Sequence, residues 1–315
     1  YHAGDPAALF ALRAFDAHAA LAFFSRLGLV TVAEDTGRVY PFSDSANSVA
    51  DVLRFALAAA GVDVQCAQEV AAIRRVKSGF TVVTADAERH ADRVIIACGG
   101  PAGSKLGGTK SGLDLLRSLG HSVTALTPSL VQLKTDTTWV RSLKGVRCEV
   151  RAVLKTDGGR TERAGELQFT DYGVSGPVIF ELSRAAAQGG LLLLDLLPDV
   201  PAGELTQLLQ ARQAALPQLA LEDLLTGMLH NRLGRTVLRR CGLSLEAPCG
   251  SLPADRLPEI CRTVKAFALP VLGPMGFDAA QVTAGGIRTD EFSAQTLESR
   301  LCPGLYAAGE VLDID

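Results

Sequence analysis

No basic patch or stripe stands out from the mixed charges of this chain. Its 31 lysines and arginines are interspersed with 34 aspartates and glutamates, giving a net charge of −3 and a pI near 6.0. Without a basic stripe to neutralise phosphates, nucleic-acid binding is not expected. Long apolar runs are missing as well. The richest, LLLLDLLPDV from Leu191, is too short and too interrupted to span a bilayer, so no membrane partner is expected. The opening YHAGDPAALF has no basic stretch followed by an apolar one, which excludes a secretory leader there, and its first residue is Tyr1, so it reads as starting inside a longer protein. Paired cysteines are absent: Cys66, Cys98, Cys148, Cys241, Cys249, Cys261 and Cys302 stand alone, with no C-x-x-C. A scattered, odd-numbered set fits reduced thiols and a cytoplasmic location better than a disulfide framework or a zinc site. Cys98, after an Ile-Ile-Ala run, reads as a small core residue.

What is present is an apolar, patterned chain. With 315 residues, 48% of them hydrophobic, it is long enough for two or three domains. DAHAALAFFSRLG and SVADVLRFALAAAG have apolar residues at helical spacing and end on Gly28 and Gly61, with Ser45 or Ser48 placed to cap the second helix. TVAEDTGRVYPFS between them reads as a turn-rich connection. Three β-type segments follow: VDVQCAQEVAAIRRV, GFTVVTAD and RHADRVIIACGG. Residues 94–97 are wholly apolar, as in a strand buried on both faces, and run into Gly99 and Gly100. KSGLDLLRSLG then reads as a helix. From about Thr127 the text is β-rich, with a hairpin turn at 157–159 and a helix after GVSGP that has Pro177 in its first turn. Residues 201–267 are almost purely helical in pattern, including ALEDLLTGMLHNRLGRTVLRR. Strand-like text returns after Ala268, and the end resembles the opening region in style. The order implies nesting: an α/β unit, an inserted β-rich domain, and a small helical subdomain inside the insertion.

Several catalytic patterns are missing. There is no G-x-G-x-x-G. The loop at 103–111, GSKLGGTKS, puts Thr109 where a phosphate-binding lysine belongs, so it reads as a glycine-rich loop. GVSGP is not a nucleophile elbow because its fifth residue is Pro177, and Ser175 reads as a helix cap. His2, His18, His90, His121 and His230 show no metalloprotease spacing and read as surface or capping residues. Two features remain: an apolar strand ending in Gly99-Gly100, and LYAAGEVLDID, where a strand ends in Gly309-Glu310. Glycines directly after a buried parallel strand let backbone approach a ligand, and an acid there can accept hydrogen bonds from sugar-type hydroxyls. Two ordinary strand-to-loop turns would read the same way.

RVIIACGG with its glycine-rich loop, LQFTDYGVSGPVI, QVTAGGI and TLESRLCPGLYAAGEVLDID resemble, in this order and spacing, the HI0933-like (aminoacetone-oxidase-like) flavoproteins. These belong to the two-dinucleotide-binding type of FAD oxidoreductase, and the resemblance covers essentially the whole chain. It implies an α/β fold with a partial FAD-binding, Rossmann-like domain at 1–126 and 289–315. It further implies an inserted β-rich domain at 127–200 and 268–288 and a helical subdomain at 201–267. The backbone at Val70 would read adenine, and Gly99 and Gly100 would lie along the cofactor. Gly309 and Glu310 would face its ribityl and pyrophosphate region, with Asp313 continuing that loop. Thr283, Gly285 and Gly286 would stand near the flavin ring.

The implied activity is a flavin-dependent oxidoreductase on a small organic substrate, NAD(P)H-linked or oxidase-type, in which the cofactor does the chemistry and the protein orients it. The resemblance selects no catalytic base, substrate or oligomeric state. The other reading is a non-catalytic nucleotide- or protein-binding domain. A third, a flavoprotein of RNA modification, is disfavoured by the near-neutral charge.

The family's opening strand, glycine-rich turn and helix are not among these residues, nor is a flavin-facing helix after GEVLDID. The absent turn would supply amide bonds to a pyrophosphate worth about 1.5–3 kcal/mol each. A polypeptide of these 315 residues is therefore expected to hold FAD weakly or not at all, and to expose edges of its parallel sheet. A yellow preparation with one flavin per chain, read by absorbance, would refute the first expectation.

Overall fold

The computed structural model describes residues 6–35 and 37–314. They form two units, one comprising the described residues up to 99, 110–124 and 285–314 and the other 100–109 and 125–284.

The first unit begins with helices α1 (Pro6–Ala14) and α2 (Ala17–Arg26), the second capped by the Asp16 carboxylate, which accepts the Ala19 N–H at 2.8 Å. The stretch read as a turn-rich connection forms a hairpin, β1 (Thr31–Ala33) against β2 (Val39–Pro41). Helix α3 (Asn47–Ala59) follows. Ala46, not a serine, occupies its N-cap, and the Ser48 hydroxyl bonds to Ser43 instead at 2.7 Å. Strands β3 (Val70–Arg75), β4 (Phe80–Thr84) and β5 (Glu88–Ala91) form an antiparallel sheet. The segment RHADRVIIACGG is thus two strands, because β5 pairs with β4 whereas β6 (Val94–Ile96) belongs to another sheet. After a loop come α4 (Ser111–Ser118) and the crossing into the second unit.

That unit is built on a closed, six-stranded antiparallel barrel. After β7 (Thr127–Ser129) come β8 (Leu133–Thr135), β9 (Arg147–Thr156), β10 (Gly159–Phe169), β11 (Gly173–Ser175), β12 (Gly190–Asp195) and β13 (Phe267–Pro274). Their order around the barrel is β10-β11-β8-β13-β12-β9. Period-two alternation sets the faces. On β9, Val150, Ala152 and Leu154 are buried while Arg151 and Lys155 are exposed. The β9–β10 hairpin turns on Asp157 and Gly158, a pair suited to a two-residue loop. Helix α5 (Pro177–Leu182) packs on β10 and β11. Its N-cap is Gly176, and Ser175 lies one residue earlier, buried in β11, so it does not cap the helix.

Between β12 and β13 run α6 (Ala202–Ala215), α7 (Asn231–Arg240) and α8 (Leu257–Lys265), which share one continuous apolar core with the barrel. ALEDLLTGMLHNRLGRTVLRR is not one helix. Gly227 turns the chain at φ 83°, and the His230 ring nitrogen accepts the Arg232 N–H at 3.2 Å, starting α7 afresh. Strand β14 (Val282–Ala284) pairs with β7, after which the chain returns to the first unit and ends on β15 (Leu305–Ala307).

β15 lies parallel to β6, with Leu305 opposite Val94 and Ala307 opposite Ile96. Ile96 is buried against α4, where Gly112 admits the close approach, but Ile95 on the other face is 67% exposed. The strand is therefore covered on one face only.

Residues 100–109, 125–126 and 285–288 lie in a different unit from the one their sequence suggests. Residues 100–109 belong with the barrel unit because Gly103 N–H donates to the Phe277 carbonyl and Ala102 N–H to Thr283 Oγ1, at 2.9 and 3.0 Å. Residues 285–288 belong with the first unit because Ile287 pairs with Val123 and Leu312.

The helical segment is tied to the barrel by one cation. Lys265, at the end of α8, donates to Asp195 Oδ2 at 2.6 Å and to the carbonyls of Leu197 and Val200 at 2.8 Å each. Both charged side chains are mostly buried. Lys265→Met removes all three bonds and strands the carboxylate, so a loss of about 2–4 kcal/mol in denaturant unfolding is expected. An unchanged midpoint would contradict it.

Candidate functional site

The parallel pairing of β6 and β15 carries both strands out of the sheet at the same edge. The register leaves Gly99 three residues beyond Ile96 and Gly309 two beyond Ala307, and Ala308 N–H still donates to the Ile96 carbonyl at 3.0 Å. Both glycines have left-handed backbone, φ 70° and 78°, and a Cβ at either would meet nothing within 4 Å. These strand ends are bare backbone facing open space, where a ligand can approach. Glu310 follows directly and is half-buried.

The segment after β14 meets the same loop. Ile287 N–H donates to the Val311 carbonyl at 2.9 Å, and Asp313 N–H to the Ile287 carbonyl at 2.8 Å. Gly286 is exchanged with Thr124: its amide donates to Thr124 Oγ1 at 3.0 Å, and its carbonyl accepts the Thr124 N–H at 2.8 Å. A Cβ at Gly286 would lie 2.7 Å from the Leu312 carbonyl carbon and 2.8 Å from the Asp313 nitrogen. No side chain fits between these two backbones.

Within the first unit the structure thus brings Gly285, Gly286, Gly309, Glu310 and Asp313 together beside the end of the strand that carries Gly99. Val70 is elsewhere in that unit, at the start of β3, opposite Thr84 and beside a bulge. Gly100 and Thr283 belong to the barrel unit. There the Gly100 carbonyl accepts the Thr109 N–H at 3.0 Å, closing the 100–109 loop, and buried Thr283 anchors that loop through Ala102. Leu106 at the loop's tip is 94% exposed.

Two readings of reactive side chains change. Cys98 is exposed, not a core residue, because it lies beyond the last paired position of β6. Burial instead governs Cys148, whose thiol is pushed up to about 12 by desolvation and then by Glu149 and Glu166, so it is inert. Among the histidines, His18 and His90 are exposed and His230 caps α7, as their sequence setting suggested; His2 lies outside the described residues. His121 does not follow that pattern. It is buried, with Nδ1 2.9 Å from Glu291 Oε2 and Nε2 3.0 Å from Ser299 Oγ. No local pattern announces this cluster, since its partners are 170 and 178 residues away.

The profile of the HI0933-like protein Rossmann domain matches residues 2–315. This chain belongs to the HI0933-like family. A 3-dehydro-bile acid delta(4,6)-reductase from Clostridium scindens is 36% identical over 324 residues, covering 100% of this chain and 79% of that protein. Ribosomal RNA dihydrouridine synthases from Escherichia coli and Haemophilus influenzae are 28% and 25% identical, each over 86% of this chain and 67% of its own length. In this HI0933-like chain the QVTAGG and GEVLDID blocks, about two dozen residues apart, are joined backbone to backbone through Ile287, the residue after the first block.

Gly286→Ala forces those backbones apart at a position with no flexible side chain to yield. A loss of about 1–3 kcal/mol is expected, read as a lower Tm of the purified chain. Gly28→Ala, in open space but at φ 88°, measures backbone strain, which Gly286 does not share. If Gly286→Ala melts like the parent chain, the close approach has no energetic weight.

Proposed function

We propose that this chain belongs to a flavin-dependent oxidoreductase that adds hydrogen to a small unsaturated organic substrate. The observation that supports this best is the bare glycine edge at Gly99 and Gly309, with an acid directly after the second, in a chain of the HI0933-like family. An extended ligand rich in hydroxyls and phosphates suits such an edge, because backbone can approach it closely and Glu310 can accept hydroxyl hydrogens. On this reading Gly99, Gly100, Gly309, Glu310 and Asp313 hold the ribityl and phosphate portion of FAD. The backbone at Val70 binds adenine, and Thr283, Gly285 and Gly286 lie nearest the ring. The bound flavin supplies hydride chemistry, and the chain supplies binding and orientation.

The names of the relatives favour reduction over oxidation. One is a reductase of a bile-acid derivative and the others make a dihydro-nucleoside. A reduced nicotinamide is the electron donor on this reading. The small-molecule substrate is preferred because the bile-acid reductase is the more similar relative, at 36% over the whole chain against 28% over 86%. The ribosomal RNA enzymes support a second reading in which the substrate is a base in RNA. It requires an RNA affinity that falls steeply with salt.

Flavin fluorescence titration tests the cofactor edge. Glu310→Ala is expected to weaken FAD binding roughly tenfold or more, the size of one charge-assisted hydrogen bond. Equal affinities would remove Glu310 from the site. Anaerobic reoxidation of the reduced flavin by a 3-oxo steroid with conjugated double bonds, against a uridine-containing ribosomal RNA fragment, separates the two substrate readings.

A further inference from the structure

The cluster around His121 is not absorbed by the cofactor edge, and its hydrogen bonds form a closed inventory. Glu291 accepts from the Ser122 N–H at 3.0 Å and faces His121 Nδ1 at 2.9 Å. On the ring's other side, Ser299 Oγ lies 3.0 Å from Nε2 and accepts the N–H groups of Leu301 at 3.1 Å and Cys302 at 2.8 Å. A hydroxyl has one hydrogen and two lone pairs. Both lone pairs of Ser299 are taken by amides, so its hydrogen must go to Nε2. The other ring nitrogen, Nδ1, must then carry the proton donated to Glu291. Burial pushes the Glu291 carboxyl up, but the Ser122 bonds and His121 outweigh it and leave the group below its ordinary value, so it is ionised to accept that proton.

Ser, His and Glu at these distances have the order of a hydrolytic triad. Ser299 is only 5% exposed, however, and has no lone pair left with which to attack. The cluster therefore holds structure in place. It joins the turn after α4, the segment around Glu291 and the 298–306 turn, where Ser299 N–H also donates to the Leu305 carbonyl at 2.8 Å. That turn feeds β15, and Gly309 and Glu310 follow shortly after β15 ends at Ala307.

We infer that His121 is a positioning residue: a neutral ring, protonated on Nδ1, that pins the 298–306 turn and releases it on taking a second proton. A second N–H at Nε2 points at an oxygen that already accepts two amides, so one of those bonds must break. The other charged groups around the ring have their own partners. Asp114 pairs with Arg117 on α4, and Arg288 pairs with Asp290. Arg300 donates to the Phe292 carbonyl, and Glu298 accepts the Gly304 N–H. Phe292, stacked on the imidazole at 4.6 Å, brings no charge. The consequence for Glu310 rests on the proposed cofactor edge, but the pin does not.

Nitrogen NMR of the histidine-labelled 315-residue chain tests the pin without any flavin. The His121 signal is identified by its contact with the Phe292 ring, and again by its loss in His121→Phe. The expected result is an Nδ1–H tautomer. Amide exchange at Leu301 and Cys302, corrected for intrinsic rates, should rise about five- to tenfold as the ring takes its second proton, the size of one lost hydrogen bond. An Nε2–H tautomer, or exchange unmoved across the ring's titration, overturns the inference. Weaker FAD binding over the same pH span would extend the pin to the cofactor edge. Unchanged FAD binding with the NMR result intact would count against that edge alone.

Discussion

The first unit depends on one pairing: β15 beside β6, in parallel. The two strands are separated by more than half the chain, so closing them together carries a large entropic demand that the local sequence around either cannot meet alone. What offsets it is non-local. Ile96 and Leu305 are buried, α4 comes close because Gly112 has no side chain, and the 298–306 turn is held by Ser299 and Glu298. Parallel pairing also has a geometric consequence that antiparallel pairing lacks. Both strands leave by the same edge, so both glycine turns arrive there without any further device.

The barrel unit solves a different problem. A closed antiparallel sheet has no free edge and a core filled from all sides by Leu133, Val150, Leu167, Phe169, Leu192 and Phe267. It can therefore carry a long helical excursion between β12 and β13 without losing its own closure. The excursion shares the barrel's core and is tied back through Lys265. The chain passes between the units at 99/100, 109/110, 124/125 and 284/285. Two of these crossings fall at Gly-Gly or Ala-Gly-Gly text, where a backbone without side chains can change direction at low cost.

Short-range pattern was legible where one element decides it. α2, α4 and α5, the 157–158 hairpin turn and the glycine after each apolar strand follow from periodicity and turn chemistry within a few residues. The errors share a cause. Ile95 looked as buried as Ile96, but burial is set by what packs on each face. ALEDLLTGMLHNRLGRTVLRR kept one apolar period while Gly227 and His230 divided it. Cys98 read as core because its preceding residues did. Residues 100–109 and 285–288 changed units because hydrogen bonds to partners distant in the sequence claimed them.

By itself the sequence determined most of the helical and extended segments, where an apolar strand must stop at glycine, and, through four distinctive blocks, the HI0933-like family. Those properties are local or carried in the order of residues, and they do not wait on the folded chain. Only the tertiary structure decided that Gly99 and Gly309 share one sheet edge, that Gly286 lies against the backbone of Leu312 and Asp313, and that His121 meets Glu291 and Ser299. The first and last of these join residues 170 or more positions apart, and the second joins residues about two dozen apart, in pairs that no period links. They exist because burial and backbone pairing are satisfied only when the whole chain has folded.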